Sequence, residues 1–96
     1  MEWRTIARFP NHEVNENGEV RHRITKRMLK VNYNVYGIPR YYFYDKTHFP
    51  KPQRVVYARD LVAAAFVPNP NNYTLVRNID GDVKNVSASN LEWIED

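Results

Sequence analysis

The chain has 96 residues, 14 Lys and Arg against 11 Asp and Glu for a net charge of +3, and no cysteine. That length supports one domain with a modest core, and the lack of cysteine excludes a disulfide framework and any thiolate metal site. No apolar run is long enough to span a bilayer and no secretory leader opens the chain, so a cytoplasmic protein is expected.

The charge is unevenly placed. Residues 1–20 carry a net −2, residues 21–59 a net +9 with Asp45 as their one acid, and residues 60–96 a net −4. A basic middle flanked by acidic ends suits a polyanion, nucleic acid above all, although flanking acids folded back over it would produce the same composition.

In chain order, Trp3 and Ile6 precede a bend expected at Phe9-Pro10. His12-Glu13-Val14 reads as a strand, Asn15-Glu16-Asn17-Gly18 as a turn, and Glu19-Val20-Arg21 as the returning strand, with Val14 and Val20 on the core face. Next comes RHRITKRMLK, with Arg21, Arg23, Lys26, Arg27 and Lys30 interleaved with Ile24, Met28 and Leu29. Its long basic stems would lie over apolar surface in a purely structural role. The absence of a nearby acid in the sequence favours a phosphate-contacting edge.

Val31, Tyr33 and Val35 alternate as in a half-buried strand, Gly37-Ile38-Pro39 turns the chain, and Arg40–Tyr44 reads as an aromatic strand. Its rings suit cross-strand packing, with stacking on unpaired bases as the competing role. Residues 45–53, DKTHFPKPQ, read as a loop and a candidate site for a function of its own. Arg54–Tyr57 returns as a strand. Asp60 stands at a helix start where an acid complements exposed N–H groups. Leu61–Phe66 is apolar nearly all round and so expected to be buried. A Pro68-Asn69-Pro70-Asn71-Asn72 loop, a strand at Thr74–Ile79, an Asp80-Gly81 turn and a closing Asn90-Leu91-Glu92-Trp93 segment complete the chain.

The order LVAAAF, PNP, V-x-N-x-D-G, N-L-E-W resembles the HNH nuclease domain of phage and intron endonucleases. The opening, Glu2, Trp3, Ile6, Glu13, Val14, Gly18, Val20 and Arg21, resembles the module that often precedes that domain, with His12 and Asn15 departing from its pattern. The resemblance implies an α+β fold of small antiparallel sheets and hairpins, one buried helix and a truncated ββα-metal remnant. The chain then reads as a single domain, with a β-rich module over 1–57 and a degenerate HNH-like remnant over 58–96.

Carried over position by position, the family's chemistry is missing. Arg59 stands where the family has a His before the helix. Arg77 takes the place of the metal-binding Asp or Asn, and Asn78 that of the catalytic His. Asn90 matches the middle Asn that orients the base. The last ligand belongs to a helix beyond N-L-E-W, and the sequence ends at Asp96 without it. An amide does not titrate and so cannot take a proton from water, and a guanidinium repels a divalent cation. Loss of a general base alone costs about 10²–10⁴-fold in rate. His12, His22 and His48 lie outside the motif. Asp80 and Asp82 are read as parts of a turn in preference to an oxygen-ligand cation site, with Asn85 and Asn90 capping or bridging backbone groups nearby.

The expectation is therefore a protein without catalytic residues, metal or cofactor that binds DNA through Arg21, Arg23, Lys26, Arg27, Lys30, Arg40, Arg54, Arg59 and Arg77. Arg59 and Arg77 are expected to meet phosphate where a cation sits in the family. The competing expectation is a phage or mobile-element inhibitor that uses the scaffold to bind a host protein or defence complex, its charged segments meeting a charged partner surface. Self-association into a homodimer would cover apolar surface left by a truncated motif.

Overall fold

A computed structural model describes residues 1–44 and 53–96 of the chain. Strands β1 (Trp3–Ile6), β2 (Phe9–Asn15) and β3 (Val20–His22) form one antiparallel sheet. A second holds β4 (Asn32–Tyr33), β5 (Pro39–Tyr44) and β6 (Gln53–Tyr57). Helix α1 (Ala58–Phe66) leaves β6 directly. After it, β7 (Leu75–Asn78) pairs antiparallel with β8 (Leu91–Ile94), a short 3-10 turn at Ala88–Asn90 leading into β8. This is an α+β fold of small antiparallel sheets with one helix, as expected.

The expected first hairpin is present and extends further. Val14 and Val20 face each other across β2 and β3 and are fully buried. The bend falls at Ala7-Arg8 rather than Phe9-Pro10, because Phe9 starts β2 opposite Ile6 and packs into the core. The alternation of Val31, Tyr33 and Val35 does not make a strand of that length. Val35 is 89% exposed and sits in a turn, because the Asn34 side chain takes over the local backbone N–H groups.

Among the described residues a turn built on an asparagine side chain occurs three times. Asn15 Oδ1 accepts from the N–H groups of Asn17 and Glu19, and Gly18 N donates to Asn15 O. Asn34 repeats this with Tyr36, Ile38 and Gly37. Asn69 accepts from Tyr73 N, and Asn72 N donates to Asn69 O. The fourth residue has positive φ each time: 88° at Gly18, 79° at Gly37 and 55° at Asn72. Asn competes well for backbone N–H groups, and Gly and Asn tolerate the left-handed region, so N-x-x-G or N-x-x-N favours the turn.

Helix α1 begins at Ala58, three residues before the expected Leu61, and follows Tyr57 as N-cap without a side-chain capping bond. Ala58, Leu61, Val62 and Ala63 are buried, but Ala64 is exposed, so the helix is covered on one side only. One core joins all parts of the chain: Ile6, Phe9, Val14 and Val20 from the first sheet, Tyr41, Phe43 and Val56 from the second, α1, and Val86 and Leu91. Phe9 stacks on Phe43 at 4.2 Å with ring planes 5° apart, joining the two sheets. Tyr41 Oη donates to Gly18 O at 2.8 Å, and burial pushes its pKa up to about 12. Ala88 N donates to Glu16 O, tying the first hairpin to the segment before β8.

The loop expected over 45–53 lies outside the described residues except for Gln53, which belongs to β6.

Candidate nucleic-acid interface

Strands β7 and β8 place the motif residues. Their register sets Arg77 opposite Glu92 and Asn78 opposite Leu91. Directly opposed residues project to the same face, so Arg77 forms an ion pair with Glu92 through Nε and Oε1. Asn78 turns its Nδ2 to the Asn85 carbonyl at 2.9 Å.

The loop between the two strands is closed by its own polar groups. Asp80 accepts from Asn85 Nδ2 at 2.9 Å, Asn90 Nδ2 at 3.0 Å and the Asp82 N–H at 2.8 Å. Asn90 also donates to Asn85 O at 2.8 Å and accepts from Asp80 N at 3.1 Å. The Asn85 amide, first among these donors, holds the Asp80 carboxyl below the usual carboxylate range. Asp80 is therefore a hub for turn N–H groups, the reading preferred for it from sequence. Asn85 and Asn90 bridge the same segment, as expected of them.

The carboxylates of Asp80 and Glu92 are already engaged. The Asp80 oxygens face N–H donors, the carboxylate of Glu92 is held by Arg77, and the guanidinium beside Asn78 offers no lone pair. Among the described residues no group of three or more His, Cys, Asp or Glu could hold a metal ion.

The basic residues do not form one surface of unpaired charge. Arg21 Nε donates to Glu13 Oε1 at 2.6 Å and its guanidinium stacks 3.8 Å from the centre of the Trp3 ring. Lys26 Nζ lies 3.4 Å from the same carboxylate oxygen. The hydrogen bond from Arg21, reinforced by Lys26, lowers the Glu13 pKa. The expectation that no acid neutralises this run is thus corrected: Glu13, distant in sequence, is the direct cross-strand neighbour of Arg21. Arg23 Nε donates to Pro10 O at 3.1 Å. Arg27 lies with Met28 and Leu29 beside a His12–His22 edge-to-face pair. Burial, and secondarily His22, depresses the His12 pKa. Lys30 is exposed just beyond.

Arg40, Arg54 and Arg59 belong to the second sheet and the start of α1. Arg40 Nε donates to Asn32 Oδ1 at 2.8 Å, and its guanidinium lies 5.5 Å from the Tyr42 ring centre. Arg54 is half-buried opposite Phe43. The Arg59 guanidinium lies 5.0 Å from the Tyr57 ring. The aromatics of β5 divide by parity: Tyr41 and Phe43 pack in the core as the cross-strand reading requires, whereas Tyr42 and Tyr44 face outward.

Glu13 and Glu92 were the partners sequence reasoning did not supply. The signal for Glu92 is the pairing of Asn78 with Leu91, which brings Arg77 and Glu92 together once the loop between them is recognised as a hairpin connection.

No family model matches the chain. The chain is 28% identical over 91 residues to a protein of Acanthamoeba polyphaga mimivirus named Uncharacterized HNH endonuclease L245, covering 95% of this chain and 26% of that protein. Its fold matches the HNH homing endonuclease I-HmuI, whose structure concerns DNA binding and cleavage, with a TM-score of 0.82 at 24% identity over 99% of this chain and 53% of that one. The chain thus spans about a quarter of the first relative and about half of the second.

Proposed function

Since the chain is HNH endonuclease-like, we propose that it binds DNA through its basic residues and does not cleave it. The observation that carries this reading is the state of Asn78 and Arg77. An amide hydrogen-bonded to the Asn85 carbonyl stands where the family places its base, beside a guanidinium held by Glu92. Neither group takes a proton from water, and the guanidinium has no lone pair for a cation. DNA binding is supported by the basic segment 21–59 and by the DNA-binding homing endonuclease that shares the fold.

The test combines a gel shift on labelled duplex with nicking of supercoiled plasmid in Mg²⁺ or Mn²⁺. A metal-independent shift that weakens steeply with salt, without nicking, is expected. Nicking that requires the divalent ion, or no shift even at low ionic strength, would refute the proposal.

A second reading, docking to a partner protein, draws on Val35 and Tyr36. They stand 89% and 79% exposed at the tip of the β4–β5 hairpin, where the fold does not require apolar side chains. Val35→Asp with Tyr36→Ser would abolish such docking while leaving a duplex shift unchanged.

A further inference from the structure

The outer face of the β5–β6 pair has a composition that phosphate binding alone does not require. Cross-strand partners Arg40–Tyr57, Tyr42–Val55 and Tyr44–Gln53 alternate with the buried pair Tyr41–Val56, so these six side chains share the solvent side. Tyr42, Val55 and Tyr44 are 41%, 51% and 69% exposed. Arg40 and Arg59 border the rings of Tyr42 and Tyr57 at 5.5 and 5.0 Å. These are looser than the 3.8 Å stack of Arg21 on Trp3, which joins two strands of the first sheet. Exposed rings beside guanidinium groups, on one face of a strand pair with an apolar residue between them, make a stacking platform with its own phosphate donors.

We propose that this face binds an unpaired DNA strand, with bases stacked on Tyr42, Tyr44 and Tyr57 and phosphates met by Arg40 and Arg59. Spacing and chemistry select the unpaired form. Tyr42 and Tyr44 are two residues apart on one strand, about 7 Å along it. That is about twice the ~3.4 Å rise per nucleotide within a duplex strand. An extended strand meets both rings with successive bases, whereas a duplex buries its base faces and offers only edges in the grooves. The guanidinium groups supply charge complementarity to the backbone, and their planes can themselves stack on a base. This inference rests on the proposed DNA binding and adds the form of DNA that this face takes.

The experiment is fluorescence anisotropy with four labelled probes: a 15-nucleotide oligothymidylate, an abasic strand of the same length, an oligouridylate and a duplex. The wild-type chain should bind oligothymidylate at least about tenfold more tightly than the abasic strand, because base–aromatic stacking is lost with the bases. Tyr42→Ala should reduce oligothymidylate affinity roughly tenfold, with Tyr42→Phe close to wild type. Tyr42 projects outward, so unchanged melting temperatures for both variants confirm that the fold is intact. Equal binding to thymidylate and abasic strands, insensitivity to Tyr42→Ala, or a preference for oligouridylate would each overturn the inference. If the duplex still binds in a salt-sensitive way in any of these cases, the broader DNA-binding proposal stands. If no probe binds, both fail.

Discussion

Replacing Gly18 by alanine gives a sharp test of how the first hairpin meets the rest of the chain. Two costs add. At φ = 88° a Cβ is unfavourable whatever surrounds it, by about 1–2 kcal/mol. The added Cβ would also fall 2.5 Å from Val86 Cγ2, and Val86 is buried, so its side chain has little room to retreat. Overpacking of this kind costs about 1–3 kcal/mol. The total, roughly 2–5 kcal/mol, is a large share of the ~5–14 kcal/mol stability of a domain this size.

Gly81 supplies the control. Its φ of 78° is nearly the same, but nothing lies within 4 Å of an added Cβ. Gly81→Ala should therefore lose only the backbone term, about 1–2 kcal/mol. Urea denaturation of both variants measures the difference, and each kcal/mol lowers the melting temperature by about 4–8 °C. Val86→Ala combined with Gly18→Ala should cost less than the sum of the single changes, since the small side chain removes the overlap. Equal losses at Gly18 and Gly81, or strict additivity with Val86→Ala, would refute the packing of this turn against the segment before β8.

Glu92→Gln should release Arg77 and strengthen duplex binding, making the slope of log affinity against log salt steeper by about 0.9 in a titration series; an unchanged slope would mean that Arg77 meets no phosphate. Tyr41→Phe leaves the Gly18 carbonyl without its O–H donor and should cost about 1–3 kcal/mol in chemical denaturation. Burial raises the Asp60 pKa despite the opposing influence of Arg59 and Arg8, so its folded form holds a proton more tightly than the unfolded chain. Stability from this group is therefore full below the ordinary aspartate range and lost as pH rises from there through the raised value. Asp60→Asn should remove that loss in melting curves taken between pH 3 and 7.

What could be read from the sequence follows how local each determinant is. The hairpin of Val14 and Val20 and the turn at Gly18 depend on alternation and turn residues close together in the sequence, whereas the α+β class came with the family resemblance. The first turn of α1 was hidden because Ala58 and Arg59 follow a strand without a capping side chain. Val35 was read as strand because period-two alternation is visible, whereas the capture of two N–H groups by Asn34 is legible only as a turn motif. The site was harder. That Asn78, Asn85, Asp80 and Asn90 close on one another follows from the 78–90 segment folding back on itself. The neutralisation of Arg21 by Glu13 and of Arg77 by Glu92 depends on strand register, which composition does not encode.

The recurring asparagine turn separates what holds the chain from what the chain displays. In each copy the first residue and the positive-φ residue carry the backbone geometry, while Glu16-Asn17, Val35-Tyr36 and Pro70-Asn71 occupy the equivalent places between them, with Glu16 also accepting from the Glu2 N–H at 2.9 Å. Where those paired side chains make no other contact, their replacement should have little effect on folding, and the displayed chemistry is set separately from the turn. Grafting dipeptides between the Asn15 and Asn34 turns would measure that freedom directly.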